Sequence, residues 1–74
     1  MKKAGLDRRV MGQNICRMRK AHGWSQSELG RRAKLSESQV FRLEHGINRM
    51  STTTFFSLCH ALGCTPKELL QGAE

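Results

Sequence analysis

"SQSELGRRAKLSESQVFRLEHG", residues 25–46, carries two helix starts in close succession. Each is a Ser followed three residues later by Glu or Gln: Ser25 with Glu28, then Ser36 with Gln39. In such a capping box the Ser hydroxyl accepts from the backbone N–H at the third helical position, and the Glu or Gln side chain reaches back to the N–H of the Ser. The first of these helices turns Leu29 and Ala33 inward at i, i+4. It must then change direction sharply across "AKLS", because those residues cannot continue its axis before the next helix begins. That is helix-turn-helix geometry. "HG", His45–Gly46, stops the second helix, with Gly free to take a left-handed conformation.

Upstream, Met11, Ile15 and Met18 recur at i, i+4, i+7 as one apolar stripe, while Gln13, Arg17 and Lys20 face elsewhere. His22–Gly23 ends this helix. Downstream, "INRMS" reads as a loop with Ser51 as the next cap. Phe55, Leu58, Cys59 and Leu62 then form an i, i+3, i+4, i+7 stripe ended by Gly63. "TPKE", residues 65–68, is a third box, with Thr65 as cap, Pro66 at the first helical position and Glu68 at the third. The spacing predicts five helices, over about 7–21, 26–33, 37–45, 52–62 and 66–71. The expected class is all-α, a compact five-helix bundle containing the helix-turn-helix. Residues 1–6 are expected to be a flexible basic arm and residues 72–74 a C-terminal tail.

A core drawn from 74 residues supplies only about 3–5 kcal/mol of net stability. The apolar content of 38% suits a compact helical domain rather than a disordered chain. No apolar run approaches the roughly 20 residues of a membrane span, and "MKKAGLDRRVMGQN" lacks the apolar centre of a signal peptide, so a cytoplasmic location is expected. Cys16, Cys59 and Cys64 are an odd number, which argues against a disulfide framework, and Cys16 and Cys59 suit the role of small buried hydrophobes. Cys59, His60 and Cys64 can be assembled into a metal reading, but no second ligand pair stands at zinc spacing; no metal or other cofactor is expected.

Charge is more informative. Thirteen Lys and Arg against six Asp and Glu give a formal charge of +7. The excess is confined to residues 1–49, which hold 12 basic and four acidic groups, whereas residues 50–74 hold one and two. A basic region beside a near-neutral remainder is the footprint of a polyanion-binding face, although a generally soluble basic surface has the same numbers.

The helix after Ser36 separates the two. At 100° per residue, Val40, Leu43, Ile47 and the cap Ser36 fall toward the core, while Ser38, Phe41, Arg42 and His45 fall on the other side with Glu37 beside them. Such a face can reach base edges: Arg bonds guanine bidentately, Glu accepts from cytosine N4, Ser donates or accepts, and an aromatic edge packs on a thymine methyl. An ordinary solvated face is the competing reading, but solvated faces seldom display Phe.

Several motifs coincide in order: "R-x-R-K" over 17–20, "G-x-S-Q-x-E-L" over 23–29, "L-S-x-S-x-V-x-R-L-E-x-G" over 35–46 and "L-x-x-A-L-G-x-x-x-x-E-L-L" over 58–70. From Val10 to Leu70 the chain resembles the phage-repressor and Cro-type helix-turn-helix domain, the Xre family of bacterial regulators. The resemblance implies that Gln26 sits against a phosphate and braces the third helix. It implies base reading in the major groove by Ser36, Glu37, Ser38 and Arg42, with Phe41 on the same face. Gly46 to Arg49 would follow the DNA backbone, with His45, Asn48 and the cation Arg49 as contacts. Arg19 and Glu44 match a pair that forms a partly buried salt bridge between helices 1 and 3 in many members. The chain departs from the pattern at Lys34, where Gly is common, at Gly30 in place of Ala, at Met50 in place of Pro, and at Glu37, which would repel phosphate and so suggests a cytosine contact.

The mechanism expected from these features divides labour by charge. Arg17, Lys20, Arg31, Arg32, Lys34 and Arg49 would neutralise phosphates, supplying affinity with little sequence information, and the polar face of the third helix would choose the site. One such domain reads a short address, so a homodimer on a double-stranded palindromic operator is expected, with Phe56 and Leu70 as dimer contacts. The alternative is an antitoxin-type or other protein-interaction module, with Phe41 and Phe56 as anchors for a small protein partner such as a toxin or anti-repressor, which would also regulate its own promoter. An enzyme is not expected, since no nucleophile–base pair is evident, and no platform of aromatics suggests single-stranded RNA.

Overall fold

Every helix among the described residues opens on a side-chain oxygen, and four of them close on the same backbone hydrogen-bond pattern. The computed structural model describes residues 7–74, so the arm expected over residues 1–6 lies outside them. The order is α1 (Arg8–Ala21), α2 (Gln26–Ala33), α3 (Glu37–Glu44), α4 (Thr52–Leu62) and α5 (Pro66–Leu70), all helical as expected, with no strand among the described residues. Asp7 caps α1 by accepting from the N–H groups of Arg9 and Val10. Ser25, Ser36, Ser51 and Thr65 each accept from the N–H three residues on, at 3.0–3.1 Å. Two boxes close fully: Gln39 and Glu68 accept from the N–H groups of Ser36 and Thr65, both at 2.8 Å. The box expected at Ser25 is only half formed. Glu28 turns instead to Arg31 and Arg32, because charge-assisted bonds to two guanidinium groups outweigh one bond to a neutral amide.

At the other ends, Trp24, Leu35, Ile47 and Cys64 donate their N–H groups back to the carbonyls of Arg19, Gly30, Arg42 and Cys59, at 2.7–3.2 Å. This closure needs a left-handed residue one position earlier. Glycine fills it in three helices; in α2 it is Lys34, with φ 61° and ψ 44°. Lys34→Gly is expected to raise the unfolding free energy by about 0.5–1 kcal/mol. That is the left-handed cost of a Cβ less the extra chain entropy Gly loses on folding. Urea titration measures it, and an unchanged or lower value would mean that the Lys34 side chain makes a compensating contact.

Each helix contributes one fully buried side chain to a shared centre: Ile15, Leu29, Val40, Leu58 and Leu69. Around it α2 packs on α3 and α4, and α1 packs on α3 and α5. Gly30 lets the α2–α3 turn fold over bare backbone, since an added Cβ would stand 2.5 Å from the Leu35 carbonyl oxygen. Met50 is half-buried against the core.

Three placements differ from the pattern reading. Ile47 is 58% exposed, not core, because α3 ends at Glu44 and Gly46 turns the chain before residue 47 can complete the apolar face. Ser36 is likewise exposed, its hydroxyl occupied by capping. The C-terminal residues are fastened rather than trailing: Ala73 is buried and its carbonyl accepts from the Asp7 N–H at 2.8 Å. Buried Asn14 reinforces this closure by donating from Nδ2 to the carbonyls of Leu69 and Gln71, both at 2.9 Å. No described helix is long and apolar enough to cross a membrane.

Candidate nucleic-acid interface

The third helix is held from behind by one carboxylate. Glu44 Oε2 accepts from Arg19 Nε at 2.6 Å and Oε1 from Arg19 Nη2 at 3.1 Å, with the two side chains only 3% and 10% exposed. Gln26 Nε2, from the first residue of α2, also donates to Glu44 Oε1, at 3.0 Å. Arg19 Nη1 donates to the Trp24 carbonyl at 2.8 Å. Helices α1, α2 and α3 therefore meet at Glu44. Burial pushes this carboxyl up, but hydrogen bonds from Arg19 and Gln26 together with the Arg19 charge reverse the effect and hold it below the usual glutamate value. Its hydrogen bond to Glu44 in turn holds Arg19 above its ordinary value. Just beside the pair, Gly12 brings the α1 backbone against the last turn of α3: a Cβ there would stand 2.5 Å from the carbonyl oxygens of both Leu43 and Glu44.

With α3 so anchored, Val40 and Leu43 point inward while Glu37, Ser38, Phe41, Arg42 and His45 are exposed, beside the exposed cap Ser36. Phe41 is 45% exposed, and the His45 ring lies 4.2 Å from its centre at 30°. His45 Nδ1–H donates to the Phe41 carbonyl at 2.9 Å. Among the described residues, neither Glu37 nor Arg42 is engaged in an ion pair.

Basic and polar groups stand at both ends of α3, and further cations are exposed on α1 and α2. Lys34 is exposed at the turn leading into α3, and Asn48 and Arg49 are exposed in the loop that follows it. Lys20 is exposed on α1. Arg31 and Arg32 share Glu28, and Arg32 also lies over the Trp24 ring, 4.3 Å from its centre. Gln26 does brace α3, through Glu44. Arg17 is not part of this set. Its Nη1 donates to Asn14 Oδ1 at 3.0 Å, and it borders a cleft with His22, Cys64, Glu68 and Gln71, on the flank of α1 that faces α5. Arg9, which the motifs do not single out, takes the other flank. Its Cα and Cγ pack against Gly46, and with Gln13, Cys16, Glu44 and His45 it lines a depression of about 310 Å³ at the end of α3. The available signal was the polar series Arg9, Gln13, Cys16 and Lys20, spaced as one helical stripe.

Of the remaining cysteines, Cys59 is buried in the core and Cys64 packs half-buried against it. Cys59 and Cys64 occupy the two positions that commonly touch in the closing motif of α4, and burial pushes the Cys59 thiol up to about 11. Such a thiol stays neutral and unreactive near neutral pH. Among the described residues no three His, Cys, Asp or Glu side chains gather as metal ligands. On the side formed by α1, α4 and α5, Phe56 is 54% exposed, and with Met11, Met50, Phe55 and half-buried Leu70 it lines an apolar groove of about 280 Å³.

Five short helices that present an open, cation-flanked α3 define a helix-turn-helix DNA-binding domain. Residues 14–71 match the model of the Cro/C1-type HTH DNA-binding domain, and the chain belongs to that family. It is 32% identical over 63 residues to an uncharacterized HTH-type transcriptional regulator, y4dJ, of Sinorhizobium fredii, an alignment covering 85% of this chain and 82% of that one. Its structure is similar to that of the restriction-modification controller protein C.AhdI from Aeromonas hydrophila, with a TM-score of 0.80 and 33% identity over 82% of this chain and 92% of that one. It is similar as well to the P22 c2 repressor, solved in complex with a synthetic operator, with a TM-score of 0.78 and 29% identity over 84% and 94% of the two chains.

Proposed function

We propose that this protein is a cytoplasmic repressor that binds a palindromic double-stranded operator as a homodimer, with α3 of each copy in the major groove. The observation that carries the reading is the open face of α3: five side chains able to meet base edges, four on the helix and one, Ser36, at its cap, with the helix fixed from behind by the buried Arg19–Glu44 pair. In this arrangement Arg42 bonds guanine O6 and N7, Glu37 accepts from cytosine N4, Ser38 donates or accepts, Ser36 donates the O–H that capping leaves free, and Phe41 supplies an apolar edge. Lys20, Arg31, Lys34 and Arg49 lie against phosphates, with Gln26, His45 and Asn48 adding hydrogen bonds and Arg9 joining them at the end of α3. The apolar groove around Phe56 and Leu70 supplies the contact between copies, and half-sites one helical turn apart, about 34–36 Å, match a two-fold pair. The likeness to the P22 c2 repressor, itself seen on an operator, supports this reading. A bound dimer of this size acts most simply by covering a promoter.

Selection of bound duplexes from a random pool tests the proposal, and a two-fold symmetric motif is the expected result. Affinity for that motif should fall steeply with salt, by a slope of about −0.9 per phosphate contact on logarithmic axes. A flat line removes the phosphate mechanism. Arg42→Ala is expected to weaken binding by about 2 kcal/mol and to relax the preference at one base position per half-site. If the variant selects an unchanged motif, Arg42 reads no base.

A further inference from the structure

Glu37 is unlike the other helical glutamates. Glu28 is taken by Arg31 and Arg32, Glu44 by Arg19 and Gln26, and Glu68 closes the cap of α5. Glu37 has no such partner among the described residues, although it lies in the basic part of the chain and on the face proposed to enter the major groove. Its place at the first position of α3 favours a negative charge through the helix dipole. The dipole does not account for the ring set one turn away. Phe41, four residues on, shares the face of Glu37. Its ring is braced on one side by His45, itself pinned to the Phe41 carbonyl, and remains 45% exposed. A partly exposed apolar ring, braced on one side by His45, on the same helix face as an uncommitted carboxylate, forms a two-part receptor.

The major-groove edge of a pyrimidine carries two adjacent substituents. Thymine pairs an acceptor oxygen with a methyl group, while cytosine pairs a donor amino group with a bare carbon. Glu37 favours the amino group and repels the oxygen; Phe41 gains only from a methyl. The base that satisfies both is 5-methylcytosine. We propose that Glu37 and Phe41 together read 5-methylcytosine, so that methylation of the operator tightens binding. This inference rests on the DNA-reading face of α3 described under the proposed function.

The test uses the full chain and the duplex selected from the random pool, with each cytosine replaced in turn by 5-methylcytosine or by thymine and affinities read by fluorescence anisotropy. At one cytosine per half-site, methylation should tighten binding about fourfold, the worth of one buried methyl group, while thymine weakens it about tenfold. Phe41→Ala should make cytosine and 5-methylcytosine equivalent yet retain the preference over thymine. Glu37→Gln should keep the gain from the methyl but admit thymine, because an amide can donate to its oxygen. Circular dichroism confirms that each variant, altered only at an exposed position, is folded. The proposal is overturned if the protein selects a defined motif but methylation of no cytosine tightens binding, or if the motif holds no cytosine. A protein that prefers no duplex over another would instead remove the reading of α3 itself, a separate result.

Discussion

Glu44→Ala is expected to leave the chain largely unfolded at neutral pH. The substitution strands the Arg19 guanidinium, 10% exposed, without its carboxylate, and also removes the acceptor of the Gln26 amide. Breaking one side of a buried pair costs about 3–5 kcal/mol, mainly because the surviving charge stays out of water. That equals the whole net stability, about 3–5 kcal/mol, that a core of this size supplies. Urea and thermal unfolding followed by circular dichroism would show it. A loss below about 1 kcal/mol would mean that Arg19 finds water or another acceptor. The double replacement Arg19→Met with Glu44→Leu should recover most of the loss, because no charge is then buried. If that variant folds but binds operator poorly, the pair serves to aim α3 as well as to hold it.

The same pair makes stability depend on acid. The carboxyl of Glu44 lies below the ordinary glutamate value of 4.5 in the folded chain, so folding favours its charged form. Its contribution is fully present above that value and is lost as the pH falls below it through the folded value. Unfolding free energy should therefore decline with acidification below about pH 4.5, and Glu44→Gln should flatten that decline. Glu28, lowered chiefly by its hydrogen bond to Arg31, follows the same sign, but it is half-buried on the helix surface with exposed arginine partners, so solvent screens the effect.

Gly12→Ala is the second large effect expected. On an exposed helix this change would stabilise by about 1 kcal/mol through propensity. Here the new methyl would stand 2.5 Å from two carbonyl oxygens of α3 and 2.8 Å from the Glu44 carbonyl carbon. All three are backbone atoms, so no side chain can swing aside, and α1 must lift from α3. The lift pulls on the Arg19–Glu44 bonds and opens packing around Ile15 and Val40, for a net loss of about 3 kcal/mol, the upper end of ordinary overpacking. Chemical denaturation measures the loss; a stability equal to or above that of the parent chain would show that the helices separate freely. Because the contact lies at the last turn of α3, any protein that still folds should also lose operator affinity.

The boundaries of the helices were readable because their causes are local. A cap joins residues three apart, and the closing motif spans six, so Ser36 with Gln39, Thr65 with Glu68, and the glycines at 23, 46 and 63 announce themselves without any neighbour. Lys34, the one non-glycine among the left-handed closures, was legible only through the family pattern, which commonly has Gly there; nothing in the neighbouring residues announces it. The exposed face of α3 followed from periodicity alone. Ile47 did not, since periodicity assumes that the helix continues, and α3 stops at Glu44.

Local chemistry by itself therefore determined five helices, their starts and stops, the turn between α2 and α3, and the set of polar side chains that α3 shows to solvent. Tertiary structure alone decided which flank of each helix meets which neighbour. It sent Arg17 toward α5 and Arg9 toward the end of α3, drew Glu28 to two arginines rather than to its cap, buried Ala73 against the start of α1, and made Gly12 a point of contact. The physical reason is distance along the chain. A hydrogen bond across three residues is specified by those residues, whereas the rotation of one helix on another is specified by groups such as Arg19 and Glu44, 25 positions apart, whose meeting depends on every packed side chain between them.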